Sequence, residues 1–177
     1  MSDLLVAVAD CEARRVASDR QMLLHCRPQD ALVVGKAARL ELGDVLLSSA
    51  DTASWSALHL SPDEWLLIGP AGDGAHLAAA VAGAARPASL VDVSDRSLAI
   101  DLRGAGAAAW LGGGCPLDLA QYADGACTRT LFGKATVMLW RRGDGWRLSY
   151  ARSFDDYVTT LLRAIAVDLA SERSFIA

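Results

Sequence analysis

Residues 127–151 read CTRTLFGKATVMLWRRGDGWRLSYA, and this stretch decides the fold. Segments 127–132 and 135–141 are short runs rich in β-branched and aromatic residues, the composition of strands. Gly143-Asp144-Gly145 then supplies a hairpin turn. Beyond it Trp146, Leu148 and Tyr150 alternate with Arg147, Ser149 and Ala151, the period of two that a half-buried strand requires. The stretch is therefore a three-stranded antiparallel meander. After Ala151 the period changes. Phe154, Tyr157, Val158, Leu161, Leu162, Ile165, Ala166 and Leu169 fall on one helical face, and Ser153 with Asp156 resembles a capping box.

Upstream, 97–102 alternates with Leu98, Ile100 and Leu102 on one face, and 89–93 is a further apolar strand. Strands at 54–60 and 64–68 flank the turn Ser61-Pro62-Asp63, where Pro presets φ and Ser and Asp bond nearby backbone. Asp73 is placed to cap a helix over 75–85, and Gly104 opens another through Leu111, stopped by Gly112-Gly113-Gly114. The first 50 residues carry weaker patterns: 21–26 and 32–34 read as short strands, and 40–47 mixes apolar residues with Gly43 and Asp44. Strands and helices in this order predict an α+β fold, mostly antiparallel sheet with packed helices. With 177 residues the expectation is a single compact domain, 1–177, open to division into two sub-lobes.

Composition narrows the function. Hydrophobic residues make up 53% and charged residues 21%, so the chain can bury a core and is not disordered. Mean hydropathy is +0.25, yet the densest apolar run, 78–85, is short and broken by Gly83, far below the ~20 residues of a membrane span. The N-terminus has no basic region ahead of its apolar residues, which predicts a cytoplasmic protein without a secretory signal. The net charge is −4 and no basic stripe interleaves with aromatics, which argues against nucleic acid as a ligand. Cys11, Cys26, Cys115 and Cys127 show no Cys-x-x-Cys spacing, so buried reduced thiols are expected.

Candidate chemistry is sparse. Gly104-Ala105-Gly106-Ala107-Ala108-Ala109 follows a strand and opens a helix, as the dinucleotide fingerprint does, but no second parallel strand ending in an acid comes after it. It reads as a tight turn. The Gly69–Gly74 turn lacks the Gly-Lys-Ser/Thr ending of a phosphate loop, and His25, His59 and His76 are scattered without the convergent ligands a metal needs. Cys127 stands two residues from Arg129; a nearby cation would lower a thiol pKa, whereas burial would raise it, and packing is the preferred role. Asp92-Val93-Ser94-Asp95-Arg96 links two strands, as a self-bonding turn or as a docking point. Trp55, Trp65, Trp110, Trp140 and Trp146 should be mostly core, and one or two exposed beside arginines would mark a protein interface.

Several segments, in order, carry a family resemblance. They are Leu60-Ser61-Pro62-Asp63-Glu64-Trp65-Leu66-Leu67, Val91-Asp92-Val93-Ser94-Asp95-Arg96, Leu102-Arg103-Gly104-Ala105-Gly106-Ala107, Cys115-Pro116-Leu117-Asp118-Leu119, Arg129-Thr130 and Ala151-Arg152-Ser153-Phe154. Together they span roughly residues 55 to 165, within a matched region taken as 51–170, and resemble the gamma subunit of heterotetrameric sarcosine oxidase; 1–50 is poorly matched. The resemblance implies a fold related to the folate-binding domain of the glycine-cleavage T-protein. It implies alpha, beta and delta partner subunits carrying FAD, covalent FMN, NAD and tetrahydrofolate, in a complex that demethylates sarcosine to glycine with hydrogen peroxide formation and one-carbon transfer. It further implies no catalytic residue, cofactor site or metal on this chain, and points to Asp92, Ser94, Arg96 and Arg129 as family-motif or interface residues. A second resemblance, of Gly125-Ala126-Cys127-Thr128 to the Lys-Gly-Cys motif of YgfZ-like folate proteins, implies a free-standing folate-binding protein instead. There Asp124 stands where that Lys would be.

Overall fold

The computed structural model describes residues 3–8, 10–16 and 19–176, with side chains through 171. The first strands are β1 (Asp3–Val8), β2 (Cys11–Arg15), β3 (Arg20–Cys26), β4 (Ser49–Asp51), β5 (Ser56–Ser61) and β6 (Glu64–Gly69). The later ones are β7 (Ala88–Asp92), β8 (Ser97–Arg103), β9 (Cys127–Phe132), β10 (Ala135–Arg142) and β11 (Gly145–Ala151). The helices are α1 (Ala31–Ala38), α2 (Gly74–Gly83), α3 (Ala107–Gly112) and α4 (Asp155–Ile176). This is the α+β class that the alternation of strands and helices predicts. Among the described residues no helix is long and apolar enough to cross a membrane.

The chain divides into two compact units. One combines the described parts of 1–17 with 96–176, and the other holds the described part of 18–95. The first unit is built on a six-stranded sheet of order β1-β2-β8-β11-β10-β9, with every neighbouring pair antiparallel. Its register explains its core. Leu148 stands opposite Ile100 on one side and Leu139 on the other, so one face of the sheet is continuously apolar. Trp110 and Leu111 of α3 and Val158, Leu162 and Ile165 of α4 bury themselves on it. The indole N–H of Trp110, at zero exposure, donates to the Leu162 carbonyl at 2.8 Å, so the largest side chain of α3 leaves no polar atom unpaired.

The alternation in β11 does not separate a buried face from a wet one. Arg147 and Ser149 are buried as well. The buried Arg147 charge is compensated there: Asp101, directly across the ladder on β8, accepts from it at 2.7 and 3.1 Å, and its guanidinium lies over Trp140.

The second unit carries a five-stranded sheet of order β4-β5-β6-β3-β7, again antiparallel throughout. Leu24, Trp65, Leu67 and Ala57 make its core with Val34 of α1 and Leu77 and Val81 of α2. Here one expectation fails: 32–34 is not a strand but the first half of α1. Pro28 opens a 3-10 turn ahead of it, and the helical period then buries Ala31, Val34 and Gly35 while leaving Leu32 and Val33 outside. Arg39 ends the helix in the left-handed region at φ 54°, and the Leu40 N–H reaches back to the Gly35 carbonyl, as in a Schellman closure. A smaller correction concerns the last helix. Ser153 sits within a 3-10 turn, Arg152–Phe154, and α4 starts at Asp155, so the expected capping pair is out of phase.

Asp155 anchors that helix start. It accepts from Arg15 at 2.8 and 3.1 Å and from the Tyr150 hydroxyl at 2.9 Å. Partial burial pushes its carboxyl up, but the bonds from Arg15 and Tyr150 outweigh that and hold it below the usual carboxylate range. A depressed folded pKa adds stability that is present above the unfolded value and lost as pH falls through the folded one. Asp155→Asn should cost about 1–3 kcal/mol at neutral pH, from a weakened charged hydrogen bond. It should also flatten the loss of stability below about pH 4, the ordinary carboxylate range. Urea midpoints across pH 3–7 test both, and parallel curves for the two proteins would refute the assignment.

Candidate functional site

The segment singled out as turn or docking point begins at the end of β7, an edge strand of the five-stranded sheet. Asp92 Oδ1 accepts from the Ser94 hydroxyl at 2.6 Å and from the Ser94 N–H at 3.0 Å. The Ser94 oxygen in turn accepts from the Gln21 N–H at 3.0 Å, and the Val93 N–H donates to the Gln21 carbonyl at 2.9 Å. Arg20 completes the cluster by pairing with the other Asp92 oxygen and donating to the Ala71 carbonyl at 2.7 and 3.2 Å. The Ser94 hydroxyl, then its N–H, and then Arg20 hold the Asp92 carboxyl below the usual range. Locally this is a self-bonded turn locked to β3. Asp92 and Ser94 thus meet, whereas Arg96 is an exposed residue of the other unit. Arg129 is exposed in that same unit, on the edge strand β9 and opposite Met138. Sequence reading missed Arg20, which is 72 positions from Asp92 and belongs to no local motif.

The glycine turn before α3 is a packing device. Gly104 has φ +113°, and a Cβ there would come within 2.0 Å of the Asp10 carbonyl oxygen. At Gly106 a Cβ would lie 2.6 Å from the Asp10 carboxylate. Both glycines make room for Asp10, and the carboxylate beside them repels the pyrophosphate that a dinucleotide loop would hold. The residues do not fit that cofactor. All four cysteines are free and buried. Burial pushes the Cys127 thiol up to about 12, overriding the opposing pull of Arg129, and pushes Cys11 up to about 11.

His59 stacks on Trp65 with centroids 4.4 Å apart, and His25 lies 3.4 Å from Glu64. Among the described residues no three metal-ligating side chains converge. All five tryptophans are buried, so none marks an interface by exposure; instead Arg142 lies over Trp140 at 4.3 Å and Arg141 over Trp146 at 5.4 Å.

Comparison with known proteins gives this architecture its family. Residues 25–168 match the sarcosine oxidase gamma subunit family. The chain belongs to it. A gamma subunit of sarcosine oxidase from Corynebacterium sp. (strain P-1) is 34% identical over 148 residues, covering 80% of this chain and 70% of that one. In three dimensions the chain resembles one in the heterotetrameric sarcosine oxidase of Corynebacterium sp. U-96. That match has a TM-score of 0.83 and 24% identity, covering 93% of this chain and 88% of that one. Glycine cleavage aminomethyltransferase T from Bartonella henselae shares the fold at TM-score 0.63 and 14% identity, over 88% of this chain and 46% of that one. The gamma-family match starts at His25, within β3, and ends at Asp168, within α4, so it runs through both units.

Two measurements check the site chemistry. Ser94→Ala should raise the Asp92 pKa toward the ordinary carboxylate value, read by carboxyl-carbon NMR titration. A value unmoved by that change would make Arg20 the dominant partner. At pH 8 a thiol reagent should find no fast-reacting cysteine in the folded chain and four after unfolding. A rapid first equivalent would show an accessible thiolate.

Proposed function

We propose that this chain is a small, non-catalytic subunit of a heterotetrameric sarcosine oxidase-type flavoenzyme in the cytoplasm. Alpha, beta and delta partner subunits carry FAD, FMN, NAD and tetrahydrofolate. The complex oxidises the N-methyl group of sarcosine, reduces oxygen to hydrogen peroxide, passes the one-carbon unit to tetrahydrofolate and leaves glycine. The observation that carries the reading is the gamma-family match across residues 25–168.

The chain's own chemistry supports a structural role. Its thiols are buried, with those of Cys11, Cys26 and Cys127 pushed up by that burial, its glycine turn is filled by Asp10, and its polar cluster Arg20–Asp92–Ser94 is spent on bonds within one unit. A free-standing folate protein gains nothing from the 125–128 segment. Gly125 adopts φ +81° in a turn and Cys127 is fully buried in β9, so the thiol cannot meet a ligand. On this reading the chain completes an assembly by covering partner surface.

Co-expression with candidate partner chains followed by size-exclusion chromatography tests this. The chain should co-elute with flavin absorbance in a multi-subunit peak, and sarcosine turnover by the partners should fall or their assembly fail when it is omitted. Elution as a separate monomer, with partner turnover intact without it, would overturn the proposal.

A further inference from the structure

β1 is the outermost strand of the six-stranded sheet, and among the described residues it pairs only with β2. Its sequence, DLLVAV, has one charge, Asp3, at its start and neither Lys nor Pro to discourage pairing. Leu4 is 53% exposed. An apolar strand edge of this kind is a template for another strand, and stable proteins cover it or guard it with charge.

Beside this edge lies a groove of about 590 Å³, floored by Val6 and Val8 and walled by α4. The helix contributes Arg163, Ala166, Val167 and Ala170, which at spacings of three, four and seven form one stripe. Ala166 and Ala170 leave room for a chain to lie close, and Val167 stands 65% exposed at the rim. Arg163 is the groove's one charged lining residue and makes no ion pair with a described residue.

We propose that the β1–α4 groove is the docking surface for an extended segment of a partner subunit. That segment adds as a strand to β1, sets alternate apolar side chains into the groove and presents a carboxylate to Arg163. The proposal rests on the subunit reading above and names the surface through which the subunit is held. Backbone pairing along β1 supplies the affinity and the groove with its cation supplies the choice of partner, the division of labour in strand addition. The charge pattern argues against a second copy as occupant. A second β1 offers no acid after Asp3, whereas each copy would bring its own Arg163 to the contact.

Val167→Asp and Arg163→Glu sit on an exposed helix face, so the isolated variants should keep the far-ultraviolet circular dichroism and melting temperature of the parent. In co-expression each should associate with the flavin-bearing partners about tenfold more weakly or worse, while Arg163→Lys and the control Leu131→Asp, on the exposed face of β9 at the opposite edge of the same sheet, associate as the parent does. Amide hydrogens of β1 should exchange more slowly in the complex than in the free chain. If the parent fails to join any flavin complex, the subunit reading falls and the groove assignment with it. If the parent joins but the groove variants join equally well, or β1 exchange is unchanged, the subunit reading stands and the groove proposal is refuted. A homodimer of the free chain lost in Val167→Asp, with complex assembly intact, refutes it in favour of a second copy.

Discussion

The ion pair between Arg15 and Asp155 is the constraint on which the first unit depends. It joins the last residue of β2 to the first residue of the longest helix across 140 positions of chain, with Tyr150 of β11 donating to the same carboxylate. Each partner is only partly exposed, so neither charge could be left alone without a desolvation cost. The carboxylate also lies at the positive end of the α4 dipole, where an anion is favoured. With its start fixed, α4 can lie across the sheet only along the direction that buries Val158, Leu162 and Ile165. The Trp110 bond to Leu162 then holds α3 against it. The same placement carries the outer stripe of α4, Arg163 to Ala170, alongside β1.

Legibility in the sequence followed the range of the interaction responsible. The meander of β9, β10 and β11 was readable to within a residue because alternation and glycine turns are local, and 127–132 coincides with β9. The strand expected at 32–34 went the other way: three apolar residues fit either period, and only the tertiary burial of Val34 decides for a helix. The candidate site was half visible. Asp92 and Ser94 announce a turn, but Arg20 and Gln21, which lock it, come from a strand more than 70 positions earlier. Likewise Gly104 and Gly106 look like a phosphate loop until Asp10, from the far end of the chain, is found filling the space. The β1–α4 groove had no local signature at all, since its two walls come from opposite ends of the chain.

The edges of the two sheets differ in how they are finished, and this bears on where a subunit is held. β7 runs into the Asp92–Ser94 turn, where Arg20 and the Ser94 bonds tie its end back to β3. β9 shows a cation, Arg129, in mid-strand, and Lys134 lies in the turn to β10. A charge or a self-satisfied turn makes addition of another strand costly, because each would have to be desolvated or undone. β1 has neither device along Leu4 to Val8, and it is bordered by an apolar groove with a cation in its wall. On that physical ground, the surface left unguarded in β1 is the one that an assembly partner completes.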